Sequence, residues 1–228
     1  GLANKICIPF ATKVCCNFPE TVSQLPADKA VLTGTPIRQE LLTGSKENGL
    51  KFTGFSSDKP VILIIGGSLG ATAVNQAVRA ILPNLLQDFQ VVHLCGKGKL
   101  DENLKDTKGY VQYEYIKKEL ADLFALADIV ISRAGANAIC ELSALNKPNL
   151  LIPLSARASR GDQILNARSF EHLGYSKVLE EEEITNESLL DAVYDLYKNR
   201  ETYITAMSSS RHKNSIEQIV QLFEKAVN

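Results

Sequence analysis

The chain has 228 residues, of which 45% are apolar and 22% are charged, a composition typical of a globular protein with one large or two small domains. Lysine and arginine together number 25 and aspartate and glutamate 26, so the charge pattern excludes the basic footprint expected of a nucleic-acid-binding protein. No apolar run approaches the roughly 20 residues needed to span a bilayer.

Cysteine and histidine usage argues against a disulfide framework and a metal centre. The five cysteines are odd in number and form no C-x-x-C pair, and the three histidines are scattered. We therefore expect a reducing, cytoplasmic setting, with no metal and no cofactor. The sequence starts at Gly1, without Met and inside a helix-like stretch, and it shows no signal peptide. We interpret it as a fragment cut or processed from a longer protein.

Short elements separated by turns are predicted for the first sixty residues. Pro9 is out of place in the helix-like stretch at the start, because proline disrupts a helix interior. The elements are the end of a helix at 2–11, strands at 14–17 and 30–33, a turn or short helix at 21–25, a short helix up to Thr43, and a connector with one short helix at 44–60.

From Pro60 onward, apolar strands and amphipathic helices alternate. The strands are predicted at 61–65, 90–94, 110–113, 129–131, 149–152 and 177–179, and the helices at 71–82, 100–105, 120–126, from 136, at 162–173, from 185 or 186, and at 214–226. This alternation predicts an α/β fold with a Rossmann-like parallel sheet covered by helices on both faces. Ligands of such sheets bind beyond the carboxyl ends of the strands, at the point where strand order reverses.

The stretch from Ile129 to Glu141 carries the strongest signal of a ligand site. It predicts a buried strand end, a small-residue turn at Gly135 and a helix that begins at Ala136. The free N–H groups of a helix start can bind an anion, and Arg133 and Glu141 lie on either side of it. The pairing of Arg133 with Glu141 is that expected for a nucleotide diphosphate with its ribose, but this stretch alone favours the alternative, an ordinary α/β loop with a surface arginine and glutamate.

A second loop, at Gly66, Gly67 and Gly70, does not fit the common nucleotide motifs. It does not form G-x-G-x-x-G, and the following strand ends at 93–95 without the acidic residue that NAD binding requires. No Gly-Lys-Ser/Thr follows, which excludes a Walker A loop, and no Asp-x-Asp is present to hold a metal on a diphosphate. The remaining interpretation is a loop whose backbone N–H groups and Ser68 hydroxyl hold a phosphate.

Three motifs, in this order and spacing, resemble the MurG family of glycosyltransferases over nearly the whole chain. They are Gly66-Gly-Ser-Leu-Gly-Ala71 followed by Asn75, Arg133-Ala-Gly-Ala-Asn-Ala-Ile-Cys-Glu141, and Gly161-Asp-Gln-Ile-Leu-Asn-Ala167, with Gly34-Thr-Pro-Ile-Arg38 resembling the family's crossover between domains. The resemblance implies a GT-B fold, in which two Rossmann-like domains face each other across a cleft. It implies that residues 1–33 are a remnant of the acceptor domain, 34–212 the UDP-GlcNAc-binding domain, and 213–228 a helix that packs back toward the acceptor domain.

The resemblance also implies a role for each matching residue. Arg38 would lie at the nucleotide, Gly67 and Ser68 at the diphosphate, the Ile116 backbone at the uracil, Ala136, Asn137 and Ala138 under the phosphates with Ile139 and Cys140 completing that segment, Glu141 at the ribose hydroxyls, and Gln163 and Asp162 at the sugar. The alternative for Asp162 is an N-cap of its helix. We interpret Asn75 and Asn166 as structural, and Arg157 and Arg160 as solvated loop residues that could reach a phosphate.

The implied activity is inverting transfer of N-acetylglucosamine from UDP-GlcNAc to lipid I, giving lipid II in bacterial peptidoglycan synthesis. The lipid acceptor and all catalytic residues would belong to the missing domain, and the whole enzyme would lie peripherally on the cytoplasmic face of the membrane. This chain alone is therefore expected to be inactive. Two alternatives remain: another UDP-sugar transferase, such as a galactolipid synthase, and a catalytically silent nucleotide-sugar-binding subunit.

Overall fold

A computed structural model of the protein describes residues 2–67, 71–157, 161–208 and 215–227. The chain forms two compact units, one made of Gly1–Ile37 and Ser210–Asn228 and the other of Arg38–Ser209. The domain boundaries expected from the sequence, at 33/34 and 212/213, stay predictions. Among the residues that the structure describes, no helix is both long enough and apolar enough to cross a membrane.

The smaller unit is built around a two-stranded parallel sheet. Its elements are α1 (Leu2–Cys7), a 3-10 helix (Ile8–Phe10), β1 (Val14–Cys16), α2 (Pro19–Val22), β2 (Ala30–Leu32) and the C-terminal helix (Ser215–Val227). Pro9 lies in the first turn of the 3-10 helix, where the missing N–H costs nothing, so α1 ends before it. Lys29 Nζ donates to the carbonyls of Ile8 and Pro9, at 3.2 and 2.8 Å.

The larger unit is an alternating α/β domain. Its elements are α3 (Lys46–Thr53), β3 (Val61–Ile65), α4 (Thr72–Asp88), β4 (Gln90–Leu94), β5 (Tyr110–Tyr113), α5 (Leu120–Leu126), β6 (Ile129–Ser132), α6 (Ala136–Ala144), β7 (Asn149–Leu151), α7 (Asp162–His172), β8 (Lys177–Val178), α8 (Asn186–Lys198) and α9 (Arg200–Ser208), with 3-10 helices at Gln39–Thr43, Glu102–Leu104 and Glu181–Glu183. The six strands are parallel in the order β5-β4-β3-β6-β7-β8.

Helices cover both faces of this sheet. In β3, Val61, Ile62, Leu63 and Ile64 are all at most 2% exposed, so residues that point to opposite faces are equally buried. Ile62 and Ile64 pack into a core with apolar side chains of α4 and α8, and α5 contacts β3 as well. The predicted Rossmann-like parallel sheet with helices on both faces is confirmed.

Helix α4 is longer than the sequence predicts. The expected end at residue 82 is wrong, because the helix continues through Pro83 to Asp88. Proline removes one helical hydrogen bond and favours a kink. Leu82 and Leu85, however, are at most 2% exposed in the core. Burial of these side chains therefore outweighs the local cost of the proline.

Candidate nucleotide-binding site

The site lies where the order of the strands reverses. From β3 the chain proceeds to β4 and β5 on one side, whereas β6 leads to β7 and β8 on the other. The register pairs Ile65 with Ser132, so the loops that follow β3 and β6 open side by side at the carboxyl edge of the sheet. A cavity of about 430 Å³ lies there, lined in part by Gly67, Arg133 and Gln163. This is the place where parallel α/β sheets bind their ligands.

One wall of the cavity is the start of helix α6. Gly135 is the N-cap residue, and it has no side chain with which to accept from the first turn. The first helical bond runs from Ile139 N to Gly135 O at 3.1 Å, which leaves the N–H groups of Ala136, Asn137 and Ala138 without helical partners. Ala138 itself lines the cavity. The helix dipole adds partial positive charge at this end, so the wall suits an anion.

The loop after β3 forms the facing wall. Gly67 has a φ of +83°, and a Cβ built there would meet nothing within 4 Å. The conformation, rather than lack of space, therefore requires glycine at this position. Ser68, the predicted phosphate ligand at the tip of the loop, lies outside the described residues.

Glu141 and Arg38 form a two-point ion pair beside this cavity wall. Arg38 Nε donates to Glu141 Oε1 at 2.8 Å, and Nη2 donates to Oε2 at 3.0 Å. The arginine side chain is 50% exposed and the glutamate side chain only 15%. The hydrogen bonds to Glu141 raise the pKa of Arg38 above its ordinary value. The structure therefore brings together two residues that the sequence places independently at the nucleotide.

The backbone that carries Arg38 is held tightly against α5. Leu41, in the following 3-10 helix, is 3% exposed. A Cβ at Gly44 would lie 2.0 Å from the backbone oxygen of Ala121, so only glycine allows this approach. The N–H of Ser45 donates to Asp122 Oδ1 at 2.7 Å. These contacts fix the main chain near Arg38 while its side chain remains half exposed.

Arg133 is not the free cation that the sequence suggests. Its Nη1 donates to the carbonyls of Ile152 and Pro153 at 3.1 and 3.0 Å, and its Nη2 forms an ion pair with Glu181. The arginine side chain is 12% exposed, so the alternative of a surface arginine is also wrong. Arg133 ties the loop after β6 to the end of β7 and to the 3-10 helix that contains Glu181. Its guanidinium is used for structure.

Gln163 lies at the start of α7 and faces the cavity. Its Oε1 accepts from the N–H of Leu154 at 3.0 Å, which leaves the Nε2 donor end for a ligand. Asp162 is exposed and is the first helical residue, whereas the N-cap is Gly161, with a φ of +78°. The expected alternative for Asp162, an N-cap role, is therefore wrong, and a contact of Asp162 with the sugar stays a prediction.

The two asparagines interpreted as structural are confirmed in that role. Asn166 Nδ2 donates to Ala134 O at 3.0 Å, and Asn75 Nδ2 donates to Cys95 O at 2.8 Å. Asn75 Oδ1 in turn contacts Nε2 of the buried His93 at 3.0 Å, and His93 Nδ1 contacts the Tyr110 hydroxyl at 2.9 Å. Because Asn75 Oδ1 can only accept, Nε2 carries the imidazole proton and Tyr110 donates to Nδ1.

Burial determines the charge state within this network. Desolvation, followed by the charge of Arg79, lowers the pKa of His93 to about 3. Desolvation also raises the pKa of Tyr110 to about 12. Both groups are therefore neutral near pH 7. They support the loop after β4 through Asn75, which contacts His93 and donates to Cys95 O.

The remaining predicted site residues have different positions. Ile116 follows β5 at the same edge, with its side chain 8% exposed. Ile139 and Cys140 are fully buried in α6, so their side chains face the core and not the cavity. Arg157 is exposed, while Arg160 lies outside the described residues.

Sequence reasoning missed Leu154 and Glu181. Each is recruited through a contact that crosses the fold, from Leu154 N to Gln163 and from Glu181 to Arg133. A backbone N–H has no sequence signature, and Glu181 is one of four consecutive glutamates, at 180–183. The only available signal was this acidic run, which is typical of a solvated surface.

Together, the fold and the cavity define a Rossmann-like α/β domain with a ligand site at its switch point, the architecture of the second half of a GT-B glycosyltransferase. Residues 61–223 match the glycosyltransferase family 28 C-terminal domain. The chain belongs to this family.

Curated relatives align along almost the whole chain. A protein of Lachnoclostridium phytofermentans is 63% identical over 225 residues, and one of Clostridium botulinum is 56% identical over 225 residues. Each is named UDP-N-acetylglucosamine--N-acetylmuramyl-(pentapeptide) pyrophosphoryl-undecaprenol N-acetylglucosamine transferase. The alignments cover 99% of this chain but only 63% and 64% of those relatives, so the chain spans less than two thirds of their length.

Solved structures support the fold. The crystal structure of Acinetobacter baumannii MurG matches 99% of this chain with a TM-score of 0.74, at 24% identity and over 63% of its own chain. The glycosyltransferase of kitacinnamycin matches 94% of this chain with a TM-score of 0.73, at 16% identity and over 55% of its own chain. At these identities the two structures establish the shared architecture alone.

Proposed function

We propose that this chain is the donor-binding part of an inverting glycosyltransferase that transfers N-acetylglucosamine from UDP-GlcNAc to undecaprenyl-pyrophosphoryl-MurNAc-pentapeptide, lipid I, in peptidoglycan synthesis. The observation that carries the proposal is the 63% identity, over 99% of the chain, to a relative named for this reaction. The position and chemistry of the cavity support it independently, since a nucleotide sugar offers an anion, a ribose diol and sugar hydroxyls.

The roles of the residues follow from this ligand. The N–H groups at the start of α6, with the Gly67 backbone and Ser68, hold the diphosphate, and the charge of the helix start offsets that of the leaving group. The Glu141 carboxylate accepts from the two ribose hydroxyls. Gln163 Nε2 donates to a hydroxyl oxygen of the sugar.

The acceptor and the group that removes its proton come from the remaining part of the longer protein. Inverting transfer requires the acceptor hydroxyl to be placed against the anomeric carbon, and such placement alone accounts for about 7–11 kcal/mol of a barrier. The lipid portion of the acceptor makes the cytoplasmic face of the membrane the working site of the whole enzyme, as a peripheral protein. This chain therefore binds the donor without transferring it.

Binding of the donor can be tested by calorimetry with UDP-GlcNAc, UDP-GalNAc, UDP-glucose, UDP and ADP. We expect UDP-GlcNAc to bind more tightly than the other sugar nucleotides, and ADP not to compete. Glu141→Ala should weaken UDP and UDP-GlcNAc equally, by roughly tenfold or more, because a charge-assisted contact contributes about 1.5–3 kcal/mol. Glu47→Ala is a suitable control, since Glu47 is an exposed glutamate of α3 paired only with Lys51 among the described residues.

Preference for another sugar nucleotide would favour a different UDP-sugar transferase of the same fold. Transfer can be tested with a lipid I analogue and radiolabelled UDP-GlcNAc, with and without a separately produced acceptor domain. Robust transfer by this chain alone would contradict the assignment of the acceptor half to other residues. Binding without transfer even after the acceptor domain is added would favour a catalytically silent subunit.

A further inference from the structure

The carboxylate of Glu141 is engaged at both of its oxygens by the side chain of Arg38. Arg38 donates from Nε to Oε1 at 2.8 Å and from Nη2 to Oε2 at 3.0 Å. The two residues are 103 positions apart in the sequence, so the contact is a product of the fold and not of a shared helix. A ligand that approaches Glu141 therefore meets an occupied group.

A guanidinium and a ribose diol compete for the same part of a carboxylate. The guanidinium and the diol both present two parallel donors. Each binds best when both carboxylate oxygens accept one hydrogen bond from it, on the side of the carboxylate that faces it. The carboxylate can hold only one such two-point partner on that side. The diol can therefore make its full contact with Glu141 only if Arg38 gives up at least one of its two hydrogen bonds.

We propose that Arg38 is a specificity-determining residue: its pair with Glu141 keeps the ribose-binding carboxylate closed, and a ligand opens it fully only by supplying both a ribose diol and a phosphate. The diol displaces the guanidinium from Glu141, and the phosphate then receives it. The inference rests on the proposed function. That function names the residues that bind the nucleotide, and the inference adds how these residues select the class of ligand.

The structure gives Arg38 the freedom that this exchange requires. Its side chain is half exposed, whereas the nearby main chain is fixed by buried Leu41 and by the glycine contact at Gly44. The side chain can therefore move without rearranging the backbone. The 5′-phosphate of a nucleotide is attached to the same ribose as the diol, so the displaced guanidinium remains near an anion that it binds well by two-point contact.

The exchange predicts opposite effects of one substitution on two ligands. Uridine has the diol but no phosphate. Its binding therefore includes the free-energy cost of breaking the Arg38–Glu141 pair, and no contact between a phosphate and the released arginine offsets that cost. Arg38→Met should therefore make uridine bind about three- to fivefold more tightly, the fold-change that corresponds to about 0.6–1 kcal/mol for an ion pair of this exposure. The same variant should bind UDP roughly tenfold more weakly, because the phosphate loses its charged partner.

The experiment is an NMR titration of uridine and UDP into the wild-type protein, Arg38→Met and Arg38→Lys, with melting temperatures recorded for each. Lysine keeps the charge but cannot form the two-point hydrogen bond to both carboxylate oxygens. Arg38→Lys should therefore retain most of the UDP affinity and show part of the increase in uridine affinity. Arg168→Met is the matched control, because Arg168 is also 50% exposed and paired with carboxylates, Glu171 and Glu180, away from the cavity lining. It should change neither affinity.

The outcomes separate this inference from the proposed function. If UDP does not bind the wild-type protein, both fail together. If UDP binds but uridine binds Arg38→Met no more tightly than it binds the wild-type protein, only the inference that Arg38 closes Glu141 is overturned. The same holds if uridine binds neither protein detectably. Loss of both ligands in a folded Arg38→Met protein would make Arg38 an ordinary ligand or a structural residue, and would also overturn it.

Discussion

Gln163 accepts a hydrogen bond from the backbone N–H of Leu154, at 3.0 Å, through its Oε1 atom. This contact orients the side-chain amide, because the two ends of an amide have opposite hydrogen-bonding character. The acceptor end is used by the protein, and the donor end remains for the cavity. Gln163 is thus set to recognise an oxygen acceptor of a ligand, such as the hydroxyl oxygen of a sugar.

The first prediction separates the sugar from the nucleotide. Gln163→Ala should weaken UDP-GlcNAc binding by about three- to tenfold, the value of one neutral hydrogen bond, while leaving UDP affinity within twofold. Calorimetry with both ligands measures the difference. Gln87→Ala is the control, since Gln87 is an exposed glutamine of α4. Equal losses for UDP and UDP-GlcNAc would place Gln163 at the nucleotide instead.

The second prediction concerns Arg133 as a brace. Its guanidinium bonds two carbonyls and Glu181, and its side chain is 12% exposed. Arg133→Met should lower the free energy of unfolding by about 2–3 kcal/mol, because it leaves a partly buried carboxylate unpaired. Urea denaturation measures this loss, with Glu181→Gln and the double variant completing a cycle.

The control for this prediction is the exposed arginine of α7. Arg168→Met removes an arginine that is 50% exposed, and it should cost at most about 1 kcal/mol. If Arg133→Met were equally mild, or if the losses from Arg133→Met and Glu181→Gln simply added, the bracing role of the pair would be refuted.

Most of the scaffold could be predicted from the sequence, and the reason is local. Strands β3, β4 and β5 have the predicted bounds because each is a short apolar or β-branched run between turn signals. The sequences of parallel strands that are buried on both faces are nearly continuous runs of apolar residues. The extension of α4 beyond Pro83 could not be predicted, since it depends on a core that forms only after folding.

The site was predictable in part for the same reason. Glu141 and Gln163 stand in local motifs, so their place at the carboxyl edge of the sheet follows from the order of elements. The partners that define their chemistry do not. Arg38 is 103 residues from Glu141, and Leu154 contributes a backbone atom. Contacts of this kind are fixed by tertiary packing, to which a single sequence gives no direct access.

The third prediction is a dependence of stability on pH due to His93. This side chain is fully buried, and its pKa in the folded protein is lowered to about 3, below the ordinary value near 6.5 in the unfolded chain. The unfolded state therefore binds a proton that the folded state does not between about pH 6.5 and 3. The stability contributed by the neutral imidazole is complete above pH 6.5 and is lost as the pH falls below it.

The size of this effect can be isolated with an amide replacement. Between pH 7.5 and 5, protonation of unfolded His93 should cost about 2 kcal/mol, and His93→Gln should not lose this amount, because glutamine does not titrate. Urea denaturation at several pH values gives the comparison, and His172→Gln, at an exposed histidine of α7, should retain the wild-type slope. Parallel profiles for wild type and His93→Gln would mean that His93 binds its proton over the same pH range in the folded and unfolded states, which contradicts the lowered pKa.

The last prediction tests how the segment that carries Arg38 is positioned. Gly44 has a φ of −67° and a ψ of 153°, which any residue can adopt, so only space requires glycine here. A Cβ would lie 2.0 Å from the oxygen and 2.4 Å from the carbon of the Ala121 carbonyl, and this group belongs to the backbone of α5 and cannot turn aside.

Gly44→Ala should therefore cost about 2–3 kcal/mol of stability through overpacking. It should also weaken UDP binding by moving Arg38. Gly135→Ala is the control for stability, because Gly135 has a φ of −68° and open space around its Cβ position, so the change should cost less than about 1 kcal/mol, the loss of a glycine N-cap. Urea denaturation of both variants, followed by titration of UDP into Gly44→Ala, measures the two effects. A Gly44→Ala protein as stable as Gly135→Ala would show that the segment does not approach α5 this closely, and unchanged UDP affinity in a destabilised Gly44→Ala would separate the position of Arg38 from this contact.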